Sequence, residues 1–255
     1  MIWLLCYLAG EVLGKEPAVD TAAEMSRLIR RPPKGFVDVK AAIPTIEINI
    51  RYHSDDNFTG APLPGYGVSM AWLLSEPTQA LQRVQEELSW DGLGLLIYDA
   101  YRPRRASEAM VAWATRTNQI HLLDQGYIAA KSGHNHGHTI DVTLVDLKTK
   151  TPLDMGTSWD TFGETAHVSH ATGIVLENRM KLQQVMTKYG FRGYSKEWWH
   201  FRYPMVGTSA RDVPYGCFEE REWHFQPPTD WNKPTYQPPK LEERDISTLE
   251  CVSQF

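Results

Sequence analysis

At 255 residues the chain is long enough to bury a real core in one domain. With 42% hydrophobic and 22% charged residues it has the composition of an ordinary globular protein. A formal net charge of -5 and the absence of a Lys/Arg-rich run argue against nucleic acid as a partner, because phosphate binding needs a basic footprint.

The N-terminal apolar run Ile2–Ala9 is too short for a membrane span. With small residues at Ala9, Gly10 and Gly14 it reads as a clipped secretory signal lacking its basic start, or else as a buried N-terminal segment. Export to a periplasm or medium goes with the first reading and a cytoplasmic location with the second. Asp20–Arg31 predicts a short helix stopped by Pro32-Pro33. Phe36–Val39 and Ile46–Ile50 are strand-prone. Arg51–Gly67 is a polar loop dense in Asp, Asn, Gly and Pro, with Tyr52 and Asn57 as its candidate site residues; the alternative is a plain connector. Ser75–Leu88 predicts a helix capped by Ser75, with Leu81, Val84 and Leu88 on one face. The continuous apolar run Leu93–Tyr98 predicts a strand buried on both faces, which delivers Arg102 at its exit. That arginine can grip a carboxylate or an oxyanion, or serve as a structural salt bridge.

Arg104–Asn118 is the next predicted helix, with Ala106, Ala109, Met110 and Trp113 in phase. The richest stretch follows: Lys131–Asp146, KSGHNHGHTIDVTLVD, in which glycines let a His-bearing loop bend before a strand. His134 on the loop and Asp141 on the strand have the chemistry of two ligands of a divalent metal, with zinc the default for mixed N/O donors. His200, in Glu197-Trp198-Trp199-His200, is the candidate third ligand. Three protein ligands leave one position open for water, whose pKa zinc can lower from about 15.7 to about 7. Glu197 is then placed as general base. The bland alternatives are a solvated His-rich loop and an aromatic core strand. Between these motifs, Val175–Tyr189 predicts a helix stopped at Gly190, and Glu197–Tyr203 predicts a strand. From Pro204 onward, repeated prolines predict an irregular tail lying on the domain, or a partner-binding segment. Cys217 and Cys251 form a disulfide pair in an oxidising compartment or remain thiols otherwise.

Several stretches together resemble the zinc D-alanyl-D-alanine dipeptidases of the VanX type. They are Asp56–Gly60, Tyr98–Pro103, Ser132-Gly133-His134 with Gly137 and Asp141, Leu153–Thr157, Glu177-Asn178-Arg179 and Glu197–His200. The resemblance runs from about Phe36 to Tyr203. It implies an α+β fold with a central antiparallel sheet flanked by helices, and one Zn2+ per chain held by His134, Asp141 and His200. It also implies Glu197 as base, Arg102 as transition-state stabiliser, and Ser132, Asp160 and Tyr52 beside a small D,D-dipeptide, with Asp160 suited to its ammonium group. The corresponding organisation is a leader at 1–19, a dipeptidase domain at 20–203 and a tail at 204–255. His138 and Thr139 depart from the family's small residues, which would narrow the pocket or add a competing ligand. The implied reaction is hydrolysis of D-Ala-D-Ala or a related D,D-dipeptide. The rivals are a D,D-carboxypeptidase acting on longer cell-wall peptides and a non-catalytic zinc-stabilised binding module.

Overall fold

A computed structural model describes residues 31–216. The expected leader, all three cysteines and the far tail lie outside them, as does the helix expected at Asp20–Arg31 apart from Arg31, which has no regular structure.

The centre is a five-stranded sheet, in the order β2 (Glu47–Ile48), β4 (Leu93–Asp99), β5 (Thr139–Asp146), β7 (Glu197–Arg202), β6 (Arg192–Tyr194). All neighbours are antiparallel except β2, which runs parallel to β4 at the edge. A separate ribbon pairs β1 (Phe36–Asp38) with β3 (Trp72–Leu74). The described residues therefore form the α+β arrangement expected, with a parallel strand added at one edge.

Strand β5 explains the layering. Ile140, Val142 and Leu144 alternate with Thr139, Asp141 and Thr143, and all six are buried. In the β5 ladders Ile140 faces Phe201, Val142 faces Ile97 and Leu144 faces Leu95, so one sheet face is wholly apolar. Helices α2 (Ser75–Trp90) and α5 (Gly173–Lys188) pack onto these strands, burying Leu81, Val84 and Leu88 from one and Leu182, Val185 and Met186 from the other. The opposite face carries the polar residues and the site. Helix α3 (Arg104–Arg116) follows β4 directly and buries Met110 and Trp113.

Local chemistry moved some boundaries. Ser75 does not cap α2; the chain passes straight from β3 into the helix, and the Thr78 hydroxyl donates to the Leu74 carbonyl instead (2.8 Å). Asp38 ends β1 early because its carboxylate accepts the amides of Lys40 and Ala41, starting the short helix α1 (Val39–Ala42) that propensity alone conceals. Only Glu47 and Ile48 of the run 46–50 find strand partners. A further short helix, α4 (His121–Asp124), precedes the metal-type loop. Gly190 takes φ 93°, the left-handed geometry of a helix stop.

Residues 204–216 carry no helix or strand, yet Tyr215 is fully buried. Its hydroxyl donates to the Tyr101 carbonyl (2.7 Å) and its ring stacks on Tyr66 (5.5 Å).

Candidate active site

The loop before β5 is a single tight turn, Gly133–His136, closed at both ends. The Ser132 hydroxyl accepts the His134 amide, and the Asn135 side chain accepts the Ser132 amide. Gly137 then reverses the chain at φ 75°, with the Phe36 ring where a Cβ would stand. The buried Asn135 amide group donates to the Arg102 carbonyl (2.9 Å) and to Ser107 Oγ (3.0 Å), tying this loop to the exit of β4. Asn135 was not singled out from the sequence. Only its neighbour across the fold reveals it.

The turn aims His134 inward. Its Nδ1 lies 2.7 Å from the Ala100 carbonyl. A carbonyl only accepts, so Nδ1 carries the ring proton and Nε2 presents a lone pair. That lone pair meets His200 Nδ1 at 3.3 Å and Asp141 Oδ1 at 3.3 Å. Asp141 and His200 face each other in the β5–β7 ladder, with Oδ1 and Nδ1 3.0 Å apart. The candidate ligand atoms of the three residues all lie within 4.8 Å of one another.

Asp141 Oδ1 is buried, and none of these short contacts has hydrogen-bond geometry at that oxygen. A buried carboxylate oxygen facing two imidazole nitrogens without a proton between them is costly unless a cation neutralises it. Two nitrogens and one carboxylate oxygen are also a suitable donor set for zinc. The residues therefore fit a divalent metal. Burial pushes the Asp141 carboxyl up, but positive charge at the facing imidazoles, the place a bound cation would take, outweighs it and holds the carboxyl below its ordinary range.

These groups open into a cavity of about 290 Å³. One wall carries His134, Asp141, His200 and Glu197; Tyr52, Arg102 and Ser132 line the polar remainder. Phe58, Met110, Tyr127 and Ile128 make the apolar side. Glu197 is 8% exposed, and its Oε2 lies 3.5 Å from His200 Nδ1. Burial, with the Asp141 carboxylate adding to it, raises the Glu197 carboxyl to about 8. Arg102 is buried, with its guanidinium 5.1 Å from the centre of the Tyr52 ring. Burial works against its charge, and the Asp99 carboxylate outweighs that effect and keeps it cationic.

Seven of the eight residues that the resemblance implies thus line one cavity. The eighth, Asp160, does not line the cavity; it stands behind Tyr52 and accepts the Tyr52 hydroxyl at 2.7 Å. Burial and the nearby Asp141 charge raise its carboxyl well above the ordinary range. Asn57 does not line the cavity. Its side chain bonds Ser54, Thr59 and Ala61 and so fixes its own loop. His136 and His138 also stay off the cavity: His136 meets Thr208 Oγ1 (3.1 Å), and His138 is buried beside Thr139. Neither residue of the departure at 138–139 lines the cavity; Thr139 packs behind Gly133, which does.

A further buried acid matters. Asp99 is fully enclosed, with one oxygen on the Arg102 guanidinium and the other on Tyr66.

Comparison with known proteins identifies the family. The model of the peptidase family M15, D-Ala-D-Ala dipeptidase, matches residues 33–221. A D-alanyl-D-alanine dipeptidase of Enterococcus faecium is 32% identical over 197 residues, covering 71% of this chain and 94% of the relative. Enzymes of the same name from Streptomyces coelicolor and Escherichia coli are each 34% identical, covering 90% and 86% of those proteins. The chain belongs to the D-Ala-D-Ala dipeptidase family of metallopeptidases.

Proposed function

We propose that this protein hydrolyses D-Ala-D-Ala or a closely related D,D-dipeptide, with one zinc ion per chain held by His134, Asp141 and His200. The observation that carries this reading is the convergence of two imidazoles and an orphaned carboxylate oxygen beside a buried glutamate. Zinc bound there would supply Lewis-acid polarisation of the scissile carbonyl and acidify a water.

The chain's own residues do the rest. Glu197, with its carboxyl raised towards neutrality, takes the proton of the attacking water and passes it to the departing amine. The Arg102 guanidinium, held cationic in a buried pocket, faces the charge that develops on the carbonyl oxygen. Tyr52 lines the cavity with its hydroxyl donated to Asp160 behind it, and a bound ammonium group there would favour the ionised form of that carboxyl. A free dipeptide carries both an ammonium and a carboxylate, and a site that pairs both charges rejects longer peptides, whose uncharged ends would leave buried partners unmatched.

The test is release of free D-alanine from D-Ala-D-Ala by purified protein, with zinc content measured on the same sample and a chelated control. Zinc-dependent release supports the reading. Release only from N-acylated or longer peptides would replace it with a carboxypeptidase. One zinc per chain with no hydrolysis of either substrate would leave a binding module.

A further inference from the structure

The β4–β5 ladder contains a register shift, and it sits at the site. Along the β4–β5 ladder Ile97 faces Val142, but the next pair is Asp99 with Asp141: β4 advances two residues while β5 advances one. Without this extra residue, Asp99 would follow Ile97 onto the apolar face. With it, Asp99, Asp141 and His200 form one row across three strands. Asp99 Oδ2 then receives Arg102 Nε at 3.0 Å and Nη2 at 2.9 Å, and stands 3.3 Å from His134 Nδ1. Its other oxygen accepts the Tyr66 hydroxyl at 2.6 Å.

The geometry points to Asp99 as a positioning residue that serves two functional groups at once. It orients the Arg102 guanidinium towards the reacting carbonyl and, 3.3 Å from the His134 Nδ1 whose proton the Ala100 carbonyl accepts, adds a negative charge that favours that tautomer, so that Nε2 faces the metal. Asp99 touches neither substrate nor metal; it acts through Arg102 and His134. The Tyr66–Tyr215 stack closes the far side of the carboxylate and keeps water from it.

This inference rests on the hydrolase reading for its kinetic test but not for its metal test. The experiment compares full-length wild type, Asp99→Asn, Arg102→Ala and the double variant, all zinc-loaded and checked for folding by circular dichroism. Asp99→Asn is expected to lower kcat about 10- to 100-fold with KM nearly unchanged, as loss of an orienting group does. In the Arg102→Ala background it should remove less than about threefold more, because the group it orients is gone. Millimolar guanidinium should partly restore Arg102→Ala and fail to restore the double variant. Zinc affinity, measured by chelator competition, should fall about 10- to 100-fold in Asp99→Asn. Losses that simply multiply in the double variant, or equal rescue with and without Asp99, overturn the Arg102 half. Unchanged zinc affinity overturns the His134 half. If Asp99→Asn does not fold, Tyr66→Phe carries the kinetic test. It should lower kcat in the Arg102 background and not in Arg102→Ala; an equal effect in both overturns the proposal. If zinc-loaded wild type hydrolyses nothing, the hydrolase reading fails, and zinc affinity still decides the His134 half.

Discussion

Asp141 and His200 stand opposite each other on β5 and β7, their Oδ1 and Nδ1 atoms 3.0 Å apart across the ladder. Cross-strand neighbours of this kind are held by backbone hydrogen bonds on both sides, so two of the three ligands are fixed before a metal arrives. The third, His134, comes from a loop but is fixed by the Ala100 carbonyl. The site is built from backbone outward.

Zinc should therefore stabilise the fold. At free zinc about 1,000-fold above its Kd, linkage gives roughly 4 kcal/mol. Thermal melts with zinc and with chelator should differ by several degrees. Asp141→Asn should abolish that difference, because the neutral amide no longer offers the charge that the cation requires.

Glu197→Gln should keep zinc and lose turnover by about 10²- to 10⁴-fold, the range for a general base. Metal analysis and D-alanine release on one preparation check both halves. Hydrolysis at wild-type rate would remove Glu197 from the proton-transfer role.

The raised carboxyl of Glu197 also predicts a pH dependence of stability in metal-free protein. A carboxyl at about 8 when folded and 4.5 when unfolded favours folding while it is neutral. That contribution is fully present below 4.5 and is lost as pH rises through 8. Between pH 5 and pH 9 the melting temperature of the chelated wild type should fall relative to Glu197→Gln, which has no charge to bury. Parallel melting curves for the two proteins would contradict this.

Among the described residues, Arg179 is a buried cation bonded to backbone carbonyls: Met155 (2.6 and 2.9 Å), Thr165 (3.0 Å) and His167 (2.7 Å). It knits together the segment that carries Trp159 and Asp160. Arg179→Met keeps the bulk and orphans these acceptors, and should destabilise by about 2–4 kcal/mol. Urea unfolding measures this, and zinc content should be retained in the folded fraction.

Gly137→Ala should be similarly damaging. It forces a Cβ into the Phe36 ring at a positive φ. A loss of roughly 2 kcal/mol or more is expected, with weakened zinc binding because the same turn holds His134.

Much of this protein was legible in the chain itself. The residue types at 134, 141, 197 and 200 suit a metal site with an acid beside it, and the several motifs read together carried the hydrolase resemblance where any one alone left a His-rich loop or an aromatic core strand open. Helices α2, α3 and α5 were readable because a 3.6-residue period needs only local sequence. Tertiary structure decided what local spacing does not encode. The shift between Ile97 and Asp99 depends on which strand lies beside β4, and it alone turns Asp99 from the apolar face to the site. Asn57 looked like a site residue because loops carry function, but its amide is used up inside its own loop. Tyr215 lies beyond the motifs and packs behind Asp99's partner because the chain returns there to cover an aromatic surface. Side-chain chemistry is a property of the sequence; the partner each side chain meets is set by strand register and by long-range return of the chain.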